Sequence, residues 1–377
     1  MTVSKTSGFK AALMAAAVLG LGASPAAAAV SKAVGTALQE AQTAAKARNA
    51  SAAVAAVERA QAAAKTPEEK QKSAQMAAYV YTATRQYSKA AAALQAVGAP
   101  PEQLAPVYYS GGMYDKAIAE ARKGSGEKMQ ILIAQALLKK GDNAGAVKAY
   151  QALIKANGPK SMYLENLAGA QYKSGDKAGY LATTERLVRS DSSPQRWKAL
   201  LTNFRQNPMR PEAKLAMFHL MNATGTLDRP EDYAEFAKLA LIAGQAGIAE
   251  KALAKATLPD DAMTQSLVTA TERMAASAAK DAVSLSAGET TAFRGAGAYM
   301  GLGQYAKAIE VYDKIIAGGG NQVDQAKVFK GIAALMDGKV SVGRTVLDEV
   351  GDKAGMQEIA HLWWLYASTK GAVPKMA

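Results

Sequence analysis

The sequence predicts an all-α solenoid built from stacked antiparallel helix hairpins. Three observations lead there: an Ala-dominated composition, a turn that recurs about every 34 residues, and helix-start signals set between the turns. Hydrophobic residues make up 49% of the 377, aromatics only 6%. Ala is the best helix former and adds little burial per residue, so such a core suits helices packed at close range. Long β-branched runs, which a sheet would need, are missing.

The turns fix the repeat. Residues 131–150 (ILIAQALLKKGDNAGAVKAY), 165–184 (ENLAGAQYKSGDKAGYLATT), 234–253 (AEFAKLALIAGQAGIAEKAL) and 293–312 (FRGAGAYMGLGQYAKAIEVY) each read as helix, Gly turn, helix. Gly141 to Gly175 is 34 residues, and Gly175 to Gly244 is 69, which places a missing turn near Asn207-Pro208. Gly303 to Gly338 is 35. Further turns fall near 85 and 112, where the spacing is compressed: Ala90 to Ala117 is 27 residues and Ala117 to Ala146 is 29. Internal repetition of this length marks a fold that grows by adding units, so chain length does not set a domain count.

The pattern around each turn has a packing logic. Seven before it stands a small residue, where two helices approach: Ala78, Ala105, Ala134, Ala168, Ala237, Ala296 and Gly331. Four before it a large one fills the hairpin: Tyr81, Tyr108, Leu137, Phe204 and Tyr299. Five after it a small residue returns (Ala90, Ala117, Ala146, Ala213, Ala249, Ala308), and nine after it a large one (Leu94, Tyr150, Met217, Leu253, Tyr312). Trp197 and Tyr233 sit eleven before their turns. Spacing and pattern together resemble the tetratricopeptide repeat over most of residues 75–350, and that resemblance implies a right-handed superhelix. Departures occur: Gln171 and Tyr180 at a large and a small slot, Leu201 at a small one, Ala240 and Ala334 at large ones. Residues 255–290 lack the full pattern, although LVTATERMAASAAKDAV is helical in character.

The ends differ from the middle. In residues 1–29, Lys5 and Lys10 precede an apolar run, Ala11 to Leu21. Ser24-Pro25 then breaks the helix, and Ala27-Ala28-Ala29 offers small residues for cleavage before Val30. That is the layout of a secretory signal peptide, cut after Ala29, and its style points to a bacterial periplasm. The run is too short to span a bilayer, and no later stretch reaches the roughly 18 apolar residues of a spanning helix. Residues 30–74 read as an Ala-rich helical cap, with a hairpin over 31–64 turning near Arg48-Asn49. The repeats occupy 75–350. Residues 351–377 hold a terminal helix with Trp363, Trp364 and Tyr366, followed by a loose tail from Lys370. One face of a terminal unit is expected to lack a neighbour. Helix starts show at Thr66-Pro67-Glu68-Glu69, at Ser286-Ala-Gly-Glu289 and at Ser193-Pro194.

Catalytic and cofactor patterns are missing. There is no Cys, which excludes disulfides and Cys nucleophiles and suits an oxidising compartment. The two His, His219 and His361, stand far apart in the repeat order. No H-E-x-x-H, phosphate loop or G-x-S-x-G occurs. Gly295-Ala-Gly-Ala-Tyr-Met-Gly-Leu-Gly imitates a dinucleotide fingerprint, but no strand precedes it. Gly318-Gly319-Gly320 reads as a linker between helices. The paired acids Glu68-Glu69 and Asp260-Asp261 fall at helix starts, where the dipole favours them. The expectation is therefore no enzyme, no cofactor and no metal.

Function then rests on surfaces. The formal charge is +13, from 45 basic and 32 acidic residues. The tetratricopeptide resemblance implies that the first helix of each pair lines a concave groove through positions thirteen, ten, six, three and two before the turn. Those slots hold Lys128 and Lys139, then Glu165, Tyr172 and Lys173, then Lys198 and Arg205, then Glu231 and Lys238. Six cations against two acids describe a basic groove that suits an acidic peptide segment or a C-terminal carboxylate. The expectation is a periplasmic interaction scaffold with a protein partner, serving envelope assembly, secretion or polymer export. Two other readings stand beside it. One is an accessory or binding protein for an anionic envelope polymer or lipid. The other is a relative of the superhelical domain of lytic transglycosylases without its catalytic part. Nucleic acid is disfavoured by export and by few stacking aromatics.

Overall fold

The computed structural model describes residues 30–370, apart from 206–207 and 352–354. The signal segment, its cut after Ala29, and the tail beyond Lys370 lie outside the described residues. Among them are twenty α-helices and no strand, an all-α solenoid as the sequence predicts. The chain divides into two units, residues 1–177 and 178–377.

The first unit holds α1 (Lys32–Lys46), α2 (Ala50–Ala63), α3 (Pro67–Ala83), α4 (Tyr87–Gln95), α5 (Pro101–Ser110), α6 (Tyr114–Ala121), α7 (Glu127–Lys140), α8 (Asn143–Asn157) and α9 (Ser161–Ser174). Each helix packs on the next, and α1, α3, α5 and α7 also touch in that order. Sequence neighbours are thus spatial neighbours, as hairpin stacking requires. Each end has a local cause. Thr66 and Glu69 form a capping box on α3: the Glu69 N–H donates to Thr66 Oγ1 at 3.2 Å, and the Thr66 N–H donates to Glu69 Oε2 at 3.0 Å. Gly141 closes α7 at φ 91°, a left-handed conformation that a side chain would strain. The small slots are buried: Ala90, Ala105, Ala117, Ala134 and Ala146 are each 0% exposed. Tyr81, Tyr108 and Tyr150 fill the large slots and are buried with them. Glu127 of α7 links hairpins by accepting from the Lys160 ammonium at 2.6 Å and from the Tyr163 hydroxyl.

The second unit holds α10 (Lys177–Ser190, which begins at the boundary), α11 (Pro194–Phe204), α12 (Pro211–Ala223), α13 (Pro230–Ile242), α14 (Ala246–Leu253), α15 (Ala262–Ser286), α16 (Ala292–Gly301), α17 (Tyr305–Gly318), α18 (Val323–Met336), α19 (Val340–Asp348) and α20 (Gln357–Lys370). From α12 to α20 neighbours again pack in order, but α12 also touches α18 and α20. The unit therefore closes on itself around one apolar core running from Val188 to Tyr366.

Outside the regular repeats the structure adds detail and corrects one expectation, at Ser286. The segment 255–290, which lacks the full repeat pattern but is helical in character, is taken up mainly by α15, a single helix of 25 residues. Ser286 is not a helix cap but the last residue of α15, its hydroxyl donating to the Ala282 carbonyl, while α16 begins after Thr291. The terminal helix α20 buries most of its circumference and keeps Gln357, Glu358, His361 and Lys370 exposed. Ile359, Leu362, Trp363, Leu365 and Tyr366 are all buried in the core of the unit. His361, on its remaining face, donates to Glu185 of α10 at 3.0 Å, and Arg189 and Arg344 each lie 5.2 Å from the Trp364 ring.

The glycine-rich stretch has a packing role. A Cβ on Gly297 of α16 would stand 1.9 Å from the Ala243 carbonyl oxygen, and one on Gly247 would stand 2.4 Å from that of Gly301. Bare backbone lets α16 press against the turn between α13 and α14.

Candidate partner-binding site

The second unit contains a cleft of about 400 Å³ lined by Lys198, Leu201, Thr202, Arg205, Met221, Thr226, Asp228 and Arg229. Four of these have a simple origin. Lys198, Leu201, Thr202 and Arg205 follow the i, i+3, i+4, i+7 spacing, so they share one face of α11 and its C-terminal cap. Trp197, Leu200 and Phe204 turn the other way and are buried. Met221 comes from α12. Thr226 sits in the turn after it, its N–H donating to the Met221 carbonyl at 2.8 Å. Asp228 and Arg229 lie just before Pro230 opens α13. Tyr233 pins that approach by donating its hydroxyl to the Leu227 carbonyl at 2.7 Å.

Below the lining, Asp232 organises the cations. It occupies the first turn of α13, where the helix dipole favours a carboxylate, and is only 2% exposed. Arg205 donates to both its oxygens at 2.9 and 2.6 Å, and Arg229 does the same at 2.8 and 2.6 Å. Two guanidinium forks thus share one carboxylate. Burial alone would push the Asp232 carboxyl up, but the hydrogen bonds from Arg229 and Arg205 outweigh it and hold the carboxyl below its usual range. The same bonding holds Arg229 charged. Lys198 pairs with Asp228 near the surface, where both are half exposed. Such a pair contributes little and exchanges readily. The lining carries three cations and one carboxylate over an apolar floor of Leu201 and Met221.

The groove residues expected from sequence divide between the two units. In the second, Lys198 and Arg205 meet in the cleft, joined by Arg229. Lys238, exposed on α13, is not part of its lining and makes no ion pair among the described residues. In the first, Lys128 and Lys139 lie near opposite ends of α7, and Tyr172 and Lys173 lie in the last turn of α9. Lys128, Lys139 and Lys173 are exposed and make no ion pair among the described residues, whereas adjacent Lys140 binds Asp115 at 2.5 Å. Tyr172 is 50% exposed. Slot counting overlooked Asp228, Arg229 and Asp232. The signal for them was the run Asp228-Arg229-Pro230-Glu231-Asp232, a helix start from which Asp228 and Asp232 meet Lys198 and Arg205 of α11 and its C-terminal cap.

His219 is buried, and its Nε2 meets Gln245 Oε1 at 2.7 Å. No cluster of three or more His, Cys, Asp or Glu able to hold a metal ion occurs among the described residues. No helix among them is long and apolar enough to cross a membrane.

No family model matches the chain. No curated protein is similar to it. Among solved structures, it resembles Naa15/Naa10 bound to HypK-THB at 13% identity, over 89% of this chain and 57% of that one, with a TM-score of 0.41. It also resembles the P58(IPK) TPR domain at 12% identity, over 90% of this chain and 99% of that one, with a TM-score of 0.24. The chain thus spans little more than half the length of the first.

Proposed function

We propose that this protein is an exported, non-catalytic interaction scaffold of the periplasm, and that the cleft between α11 and α13 takes an acidic segment of a protein partner. One observation carries the reading: Arg205 and Arg229 are preset by the buried Asp232 carboxylate beside an apolar floor. Each guanidinium has five N–H donors. Arg205 commits one donor on each of two nitrogens to Asp232, which leaves further N–H groups for a ligand carboxylate. Fixing both forks beforehand lowers the ordering cost of binding. Lys128 and Lys139 on α7 and Lys173 on α9, which make no ion pair among the described residues, add exposed positive charge within the first unit. Export rests on the composition of residues 1–29. Assembly, secretion or polymer export at the envelope is the setting in which such a scaffold would act.

The test is binding of fluorescent glutamate-rich peptides at low and high salt. Lys198→Glu disturbs only an exposed pair, so the fold should hold. We expect at least tenfold weaker binding by this variant and a steep salt dependence in the native protein. Equal affinity in both proteins would refute the cleft. Photo-crosslinking from position 202 in intact cells would then name the partner.

A further inference from the structure

The carboxylate of Glu69 does more than cap α3. Besides the N–H groups of Thr66 and Lys65, at 3.0 and 2.8 Å, it accepts the backbone N–H of Ser31 at 2.9 Å. Ser31 lies 38 positions earlier and opens α1. Glu69 is buried, 4% exposed. The hydroxyl of Ser31 and these three N–H groups hold its carboxyl down at about 2. The Ser31 carbonyl in turn accepts from the Gly35 N–H at 2.9 Å. Val30 is half-buried, its Cγ2 lying 3.7 Å from where a Gly35 Cβ would stand. The chain is thus fastened from Val30 onward, at the point where the sequence places a cleavage site.

Successive backbone nitrogens are at most about 3.7 Å apart. A free α-amino group on Val30 would therefore lie within about 7 Å of Glu69 Oε1. The dipole of α1 opposes a cation at this end. Glu69, buried and already anionic, offsets it.

We propose that Val30 is the mature N-terminus, that its α-ammonium pairs with Glu69, and that the Ala29–Val30 bond is cut before this end of the chain folds. The proposal rests on the export reading. In the cut, water adds to the Ala29 carbonyl carbon, the C–N bond breaks, Ala29 leaves as a carboxylate and Val30 as an ammonium. A leader peptidase needs residues on both sides of the bond extended in its cleft. Once folded, Ser31 has both its N–H and its carbonyl engaged, so it is no longer free to enter one.

Three measurements test this. The full-length chain is expressed with its own leader, fractionated and weighed intact. Export with a first residue of Val30 supports the proposal. Export with another first residue overturns it and leaves the export reading standing, while retention with the leader attached overturns both. Next, a chain beginning at Val30 is compared with its N-acetylated form by calorimetry from pH 6 to 10. Glu69 raises the ammonium pKa above the unfolded value near 7.7, so its contribution is complete below that pH and is lost as pH rises through the folded value. The free-amine form should melt about 2 °C higher at pH 6, the gap should vanish near pH 10, and Glu69→Gln should remove it. Equal melting of both forms at pH 6 would overturn the ion pair. Finally, purified precursor should be cut by leader peptidase at least tenfold faster in urea that unfolds α1 than when folded. Equal rates would overturn the order of events.

Discussion

The indole N–H of Trp363 donates to the carbonyl of Ala216 at 3.0 Å, across 147 positions of sequence. Trp363 is 0% exposed. Its ring meets Tyr366 edge-on at 5.4 Å, and Tyr366 meets Trp197 in the same way at 6.0 Å. Through this contact α20 is bound to α11 and α12, and the second unit becomes a closed cooperative body rather than an open row of hairpins. An open row loses one hairpin at a time. A closed one must lose α11, α12 and α20 together.

Trp363→Ala should therefore destabilise the second unit by about 3–5 kcal/mol. Trp363→Phe keeps most of the packing and should cost about 1 kcal/mol, because the Ala216 carbonyl retains its helix partner. Hydrogen exchange is the check. Protection should fall together in α11, α12 and α20 of the alanine variant, while α1 to α6 keep theirs. Loss confined to α20 would contradict the closure.

Gly297→Ala tests the close approach behind the glycine-rich stretch. The added Cβ would sit 1.9 Å from a backbone oxygen, which no rotamer change relieves. A loss of more than about 3 kcal/mol is expected in urea unfolding. Gly169→Ala on α9 meets nothing within 4 Å and should be neutral or slightly stabilising.

Much of this was legible in the sequence, and the part that was not has a physical cause. The small slots at Ala90, Ala117 and Ala146 and the large ones at Tyr81, Tyr108 and Tyr150 are set by contacts within one hairpin or between adjacent ones, so a local periodicity records them. Trp363 and Ala216 share no such period. Their pairing depends on how the second unit turns back on itself, and its one trace in the sequence is the run LWWLYA, an apolar stretch that needs a partner surface. Ser286 misled for the opposite reason. The pattern Ser-x-x-Glu is a local signal, but the Ala-rich helix before it runs on until Ser286 is its final residue. In the cleft, Lys198 and Arg205 could be found because they share a face of α11. Asp232 could not, because it reaches them from the next hairpin.

Asp232→Asn should cost about 2 kcal/mol. Breaking a buried pair commonly costs more, but here the guanidinium rim is wet and the two arginines can turn to solvent. The Asp232 contribution is complete above the usual carboxylate range and is lost as pH falls through the lowered folded value, so the excess instability of the variant should shrink as pH drops below that range. Chemical unfolding at pH 7 and at successively lower pH measures both. Peptide binding should weaken in parallel at pH 7, because the forks are no longer held.

The two histidines should answer pH in opposite directions. Burial pushes His219 down from 6.5 to about 4, against the raising effect of its hydrogen bond to Gln245. Below about pH 6.5 the unfolded chain takes up a proton that the folded chain refuses, so stability falls until about pH 4, by at most about 3 kcal/mol. His361 is raised by its hydrogen bond to Glu185, with burial and Arg189 opposing. Its contribution is complete below about pH 6.5 and is lost as pH rises through the folded value. It should be small, because the side chain is 48% exposed. Proton NMR should show one imidazole still neutral at pH 5 and the other still charged at pH 6.5. His219→Gln should flatten the acid limb of the stability curve, and His361→Gln the alkaline one. If both imidazoles titrated together near pH 6.5, the burial of His219 and the pairing of His361 with Glu185 would both be wrong.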